Sequence, residues 1–472
     1  MYDHNFVPDQ NVYPMRLNSP EEEQMREGFI AIANDIVGQE ENYQQGNETF
    51  LAGIELELPL VNDDYTLASQ EARDAVIKAT PNTSVELSAH QLEVVPNEPA
   101  DLMLDLMSLE QAMSDSVSKV KRATRSMDLA WMRIGSYPLC HVREVGHTQG
   151  EPKYAKYERS PTWHTDNQRP DAEGYVLTAA GPLDVSSGYI VGLMSAVQVT
   201  VDALSFDDAF DKLNRSFMIS PMAVALAANA SHLGYLYTGY ADVRFVSWEI
   251  SHDTRSHEEV RRGFPTRVGL PHRYFDGMNE YFNQILSYPF VMNDPISLQH
   301  PFEVGNGIFW RDVRLKFFRD SQKLGVEFRP VAIQPTLHED VAMMMFYIGR
   351  LLWSQKVKEN LMPMDLVRQN KESVMRRGMQ AKLHTQHNDT ISVLPASEAL
   401  AIEIKRAEEG LTLLEADPDK RLYYVNSWLQ RVSTGSPAEV FIESSRKKLA
   451  RNFEDARNNL IESIEELNLV ER

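Results

Sequence analysis

The chain has 472 residues, a formal net charge of −21 and one cysteine, Cys140. That length supports a large core and one to three domains, and the acidic balance argues against a general nucleic-acid binder or a binder of anionic membranes. One cysteine excludes an intrachain disulfide and a thiolate-type structural zinc, which makes a reducing cytosol the natural compartment.

The first residues, "MYDHNFVPDQNVYP", lack the basic region and apolar run of a signal peptide. No stretch reaches the about 18 consecutive apolar residues of a membrane span. Residues 1–18 read as a loose arm. "SPEEEQMREGFIAIANDI" predicts a helix, with Ser19 at the N-cap, Pro20 at the first helical position and Glu22 closing a capping box. Its apolar stripe is Met25, Phe29, Ile32 and Ile36.

"GIELELPL" (53–60) follows as a strand. Its period of two puts Glu55 and Glu57 on one face and Ile54, Leu56 and Leu58 on the other. "SVELSAHQLEVVPNEP" reads as extended and stopped by prolines. Residues 100–130 read as a long helix, and "AWMRIGSYP" as a strand ending near Gly135 and Pro138. "KYAKYERSPTWHTDNQRPDAEG" is polar and turn-rich, a loop. In "MSAVQVTVDA", Val197, Val199 and Val201 share one face, and Gln198, Thr200 and Asp202 the other.

Helices fill much of 206–229. "GVEFRP" (325–330) is a strand whose Glu327 and Arg329 share a face. Residues 338–388 read as mostly helical, and the helical pattern continues from about 391. Asp417-Pro418-Asp419 reads as a turn. Ser436 and Glu439 open a last helix, with Ile442, Leu449, Phe453, Ala456, Leu460 and Ile464 on one face, to be covered by the body or by a second subunit as a homodimer. Several strands carry polar groups on one face and aliphatics on the other. That describes an α+β fold with an antiparallel sheet, helices on one face and a wet cavity on the other.

Candidates on the wet face are Glu55, Glu57, Glu86, Glu93, Gln198, Thr200 and Glu327. Two carboxylates at about 4 Å repel by roughly 4 kcal/mol at an effective dielectric near 20, so water, arginine or metal must offset them. An all-oxygen set with an amide suits Mg²⁺ or Mn²⁺, which usually also holds nucleotide phosphates. Arg244, Arg314 and Arg329 beside it would bind phosphate or a substrate carboxylate. Taken singly these signals are ordinary: most E-x-E strands face solvent, and most E-x-R pairs are surface ion pairs. "GNGIF" lacks a P-loop's lysine and hydroxyl. "HED" (338–340) reads as a helix start, "SKVKRATRS" as a solvated helix face, and His90, His141, His147 and His164 as structural histidines.

The order of the pieces carries more. "GIELELPL", "VELSAHQLEVVPNEP", "MRIGSYP", "AVQVTVDA", "SPMAVALAANASHLGYLYTGYADVRFVSWE", "WRDVRLKFF" and "GVEFRPVAIQPT" resemble the glutamate–cysteine ligase family over roughly residues 50–350. The likeness is to its plant/proteobacterial and actinobacterial branches and the related carboxylate–amine ligases. The resemblance implies a glutamine-synthetase-like fold over 19–390, a curved antiparallel sheet with helices on its convex face. The arm 1–18 precedes it and a helical C-terminal region follows over 391–472.

The resemblance also implies roles. Glu55, Glu57, Glu93, Gln198 and Glu327 look like ligands of Mg²⁺ or Mn²⁺, and Glu86 like a further ligand or substrate contact. Arg329 and Arg314 would meet the nucleotide, Arg244 would hold the amino-acid substrate with Trp248 and Thr200 nearby, and Arg329 and Arg244 would serve catalysis. ATP would phosphorylate a substrate carboxylate that an amine then attacks, most simply glutamate and cysteine giving γ-glutamylcysteine in the cytoplasm. Another acid–amine pair, or an inactive binding or regulatory relative, are the alternatives. Small molecules are the expected partners, not nucleic acid or membrane. Three departures bear on the pocket. Thr200 stands where the family has asparagine, "ANASHLG" replaces A-N-S-P-F, and Lys156-Tyr157 only echoes the family's R-Y.

Overall fold

The computed structural model describes residues 6–9, 20–46, 48–150, 174–290, 300–387, 390–415, 417–446 and 453–472. The expectations for Ser19, Lys156-Tyr157, His164, Leu449 and the loop over 153–173 lie outside these residues. No helix among the described residues is long and apolar enough to cross a membrane.

A nine-stranded sheet organises the fold. Its strands are β1 (Leu51–Val61), β2 (Thr83–Val85), β3 (Gln91–Val94), β4 (Ala100–Asp101), β5 (Ala130–Met132), β6 (Val197–Ala203), β7 (Val313–Phe318), β8 (Lys323–Phe328) and β9 (Val470–Glu471). The main path runs β7-β8-β6-β1-β3-β2, with β4 and β5 also on β1 and β9 on β5. Every pairing is antiparallel.

One sheet face is dry. Ile54, Leu56, Leu58, Val197, Val199, Val201, Val326 and Phe328 are buried on it. They pack against the helices Ser108–Arg125, Phe206–Ala227 and Leu337–Lys356. Phe328 stacks on Tyr347, ring centroids 3.9 Å apart. Each such aliphatic contributes about 1.5–3 kcal/mol by leaving water. The strands therefore have no freedom to slip by one residue, because a slip would drive the polar row into this layer.

Several local expectations are redrawn. The helix Pro20–Gly38 forms, with Met25, Phe29 and Ile36 buried and Ile32 half-buried. Glu22 is buried and accepts the N–H of Phe290 at 2.8 Å, a tertiary bond that the local pattern does not announce. Phe6, inside the expected arm, is buried edge-on against Phe282. The stretch 84–99 is not one extended segment but a hairpin: β2 and β3 pair, and Glu86 sits in their connection.

Lys382–His387 and Thr390–Pro395 pair as a hairpin where helix was expected. Asp417 caps the helix Pro418–Thr434, its carboxylate accepting the N–H of Asp419, because Asp before Pro serves a helix start as well as a turn. Glu439 accepts the N–H of Ser436 as expected, at 2.8 Å. The last helical stretch is two helices, Pro437–Arg446 and Phe453–Glu466; Leu460 and Ile464 are buried, whereas Phe453 is exposed.

The C-terminal third is built into the body. Gly410 of the helix Ala396–Leu411 presses on Gly349 of the helix Leu337–Lys356 so closely that a Cβ there would overlap the Gly349 carbonyl. β9 extends the sheet at β5, and Glu471 accepts two hydrogen bonds from Arg133, at 3.0 and 2.8 Å. The same guanidinium donates to Asp340 at 2.5 Å, at the start of the helix that "HED" begins.

Candidate functional site

The strand register sets the candidate side chains in rows across the wet face. Arg314 on β7 stands opposite Glu327 on β8, Glu327 opposite Thr200 on β6, and Thr200 opposite Gly53 on β1. One row on, Gln198 faces Glu55. In the next, Glu57 faces Glu93 on β3, and Glu93 faces Ser84 on β2. Alternation alone brings Glu55, Glu57, Glu93, Gln198, Thr200, Arg314 and Glu327 to one surface.

The carboxylates there fall into two groups. Glu57 accepts the Ala196 N–H at 2.7 Å and the Gln198 amide at 3.0 Å. Burial and the neighbouring Glu86 still push its pKa up to about 8, against the pull of Arg329. Burial, then Glu86, Glu55 and Glu57, push Glu93 well above the usual range, although Ser84 Oγ donates to it at 3.2 Å. Glu86, in the connection between β2 and β3, thus acts on both.

Glu327 is the opposite case. Burial would raise it, but Arg314, Arg329 and Lys316 outweigh burial and hold it well below the usual range. Arg329 Nη1 lies 2.7 Å from one carboxylate oxygen and Lys316 Nζ 2.7 Å from the other; Arg314 Nε donates as well. Lys316 Nζ also donates to Glu55 at 2.9 Å.

Two cavities open on this surface. One, of about 480 Å³, is lined by Gly53, Glu55, Thr200, Lys316, Phe318 and Gly325. The other, of about 560 Å³, takes in Glu57, Glu86, Glu93, Gln198, Arg314 and Arg329. It also reaches Arg244, Trp248, Trp310, Asp312 and Lys371, and it too includes Glu55 and Lys316. Arg244, at the head of the helix Arg244–Ser251, is set by a forked pair with Asp242 at 2.9 and 2.7 Å and a bond to the Pro330 carbonyl at 2.7 Å. Trp248, His252 and Trp310 pack together along that wall, with His252 4.2 and 4.7 Å from the two indoles. Ala230, Ser231 and His232 of "ANASHLG" line neither cavity; His232 bonds to Ser231 and Ser445 instead, so this departure leaves the pocket walls untouched.

Four wall residues were not singled out from sequence. Lys316 lies two residues after Arg314, so period two alone places it on the same face. The Lys371–Asp312 pair, at 2.7 Å, joins a helix to the segment before β7, and no spacing announces it. Trp310 is likewise brought in only by the tertiary fold.

Among the described residues no three His, Cys, Asp or Glu side chains are arranged to hold a metal ion as they stand. The donor chemistry nevertheless fits one. Glu57, Glu86 and Glu93 crowd one another, and Gln198 Oε1 beside them is buried without a hydrogen-bond partner among the described residues. A hard cation would satisfy that oxygen and relieve the repulsion together.

The comparisons put the chain among the ATP-dependent carbon–nitrogen ligases. Residues 51–435 match the model of glutamate–cysteine ligase family 2, and the chain belongs to that family. It is similar to the crystal structure of glutamate–cysteine ligase from Francisella tularensis in complex with AMP, with a TM-score of 0.51, 14% identity and 90% of each chain covered. A second similar structure is a bifunctional glutathione synthetase from Pasteurella multocida, with a TM-score of 0.47, 12% identity, 92% of this chain and 55% of that chain covered. At these identities the first likeness shows the fold. No curated protein sequence matches the chain. Its class therefore is that of a carboxylate–amine ligase that uses ATP and small-molecule substrates.

Proposed function

We propose that the chain joins the γ-carboxylate of glutamate to the amine of cysteine through a γ-glutamyl phosphate, in a reducing cytosol. The observation that carries this reading is the shared wall: Glu55 and Lys316 line both cavities. The smaller cavity takes the nucleotide base and ribose against Phe318 and the bare backbone of Gly53 and Gly325. The larger one takes the amino acid, where Arg244, Lys371, Arg314 and Arg329 suit an acid with two carboxylates.

At the wall, a glutamate γ-carboxylate oxygen takes the γ-phosphoryl group of ATP and ADP leaves. The cysteine nitrogen then attacks the acyl carbon, the bond from that carbon to the phosphate oxygen breaks, and inorganic phosphate departs as the amine loses a proton. Arg314 and Arg329 bring fixed positive charge to the transferring group, which is where phosphoryl transfer needs it. Glu55, Glu57, Glu93 and Gln198, with Glu86 and Glu327 behind them, would hold Mg²⁺ or Mn²⁺, whose chemistry is to neutralise phosphate charge. Trp248 and Thr200 border the two substrates. No covalent enzyme intermediate is required, and Cys140 fits that: it is buried, and burial followed by Glu144 pushes its thiol up to about 12.

Phosphate release from ATP, screened over amino-acid pairs with Mg²⁺ present, tests the reading. The expected result is strongest release with glutamate and cysteine together. Release with a different amine moves the assignment to another ligase of the family, and release with no pair overturns it.

A further inference from the structure

Lys316 makes a contact that its place in the sheet does not favour. It starts on β7, whereas Glu55 is on β1, three strands away along the path β7-β8-β6-β1. Three spacings of about 4.8 Å come to roughly 14 Å, more than the two side chains span over a flat sheet. The 2.9 Å bond exists because the sheet curls. Directly opposite Lys316 in the register is Gly325, where a Cβ would meet Thr200 Cγ2 at 2.6 Å and Phe318 Cε2 at 3.3 Å. The absent side chain at Gly325 is what lets Thr200 and Phe318 pack beside the strand opposite Lys316.

We propose that Lys316 is a resident cation: its ammonium occupies, between Glu55 and Glu327, the position that a divalent ion takes, and the ion displaces it from there towards the nucleotide side. This rests on the ligase reading above. Glu55, Glu57, Glu86, Glu93 and Glu327 share this surface, and a single flexible ammonium bridging Glu55 and Glu327 offsets part of their charge. The neighbouring cations are unsuited to that exchange. Arg314 and Arg329 are planar forks committed to Glu327, and they keep that carboxylate paired after Lys316 leaves. Lys316 alone lies on the wall common to both cavities among the cations of Glu327, so it can turn from the carboxylates to the nucleotide side without crossing protein.

The test is Mn²⁺ binding to the full chain without nucleotide, read from the free-Mn²⁺ electron paramagnetic resonance signal. Lys316→Met is expected to bind Mn²⁺ about tenfold more tightly than the natural chain, and Lys316→Arg to change it less than threefold. Equal or weaker Mn²⁺ binding by Lys316→Met, or no binding by either protein, overturns the proposal. A second measurement needs no variant. Acetylation of Lys316 by acetic anhydride, mapped by mass spectrometry, should rise severalfold when Mg²⁺ is added without nucleotide, and an unchanged yield also overturns it. Neither readout depends on turnover, so an absence of ligase activity in the phosphate screen stands apart from the result here.

Discussion

Glu57 on β1 and Glu93 on β3 face each other directly across the sheet register, two carboxylates on one surface with Glu86 acting on both. Like charges in opposed positions destabilise a sheet, so the protein keeps this pair against its own stability. Glu57→Gln retains an acceptor for the Ala196 N–H and removes the charge. The variant should be at least as stable as the natural chain without nucleotide, by up to about 1 kcal/mol. It should lose about a hundredfold or more in kcat for ATP-dependent phosphate release. Thermal melting and the phosphate assay check the two halves separately.

The two-cavity assignment is tested at Phe318 and Arg244. Phe318→Ala is expected to raise KM for ATP about tenfold, with KM for the acid changed less than twofold. Arg244→Met should do the reverse, since its forked pair with Asp242 sets it in the other cavity. Steady-state kinetics with each substrate varied in turn checks both, and matched changes in the two constants would contradict the division.

Gly410→Ala tests the junction between the ligase body and the C-terminal helices. The added methyl group would overlap the Gly349 carbonyl, so the helices must separate, at a cost of about 3 kcal/mol. Chemical denaturation should show a lower midpoint with an unchanged slope.

Glu471 gives a pH dependence with a definite sign. Burial would raise its pKa, but Arg133 and Lys121 together lower it. A carboxylate lowered in the folded state contributes stability above its unfolded pKa and loses it as pH falls through the folded value. Glu471→Gln should therefore be destabilised by about 1–2 kcal/mol at pH 7. The gap to the natural chain should close below the ordinary carboxylate range, measured by melting from pH 7 to pH 3.

How far the sequence led differs from element to element. β1, β6 and β8 were legible because alternation is a local signal, and it carried Glu55, Glu57, Gln198, Thr200 and Glu327 to one face. The family resemblance supplied the curved antiparallel sheet and the ligase chemistry, but not the order of the strands within it. The hairpin over 382–395 was not legible: Ile391 and Val393 are exposed, so no buried stripe marks it as strand. Asp417-Pro418 was read as a turn because one dipeptide serves two local structures. The bond that Glu22 accepts from Phe290, 268 residues away, has no local signal either. The Lys316–Glu55 contact and the wall formed by Trp310, Asp312 and Lys371 depend on the curl of the whole sheet and have no local trace.

The strand pairing of Val470–Glu471 with β5 has a consequence for biogenesis. Met132 waits for a partner 338 positions downstream, so a ribosome must deliver almost all of the described chain before that edge of the sheet can be sealed. Until then the backbone groups of β5 are open to any stray strand, and pairings so distant in sequence form slowly. Recombinant production should therefore gain more from holding chaperones, which shield that edge until Val470–Glu471 is made, than from any change near the carboxylate surface.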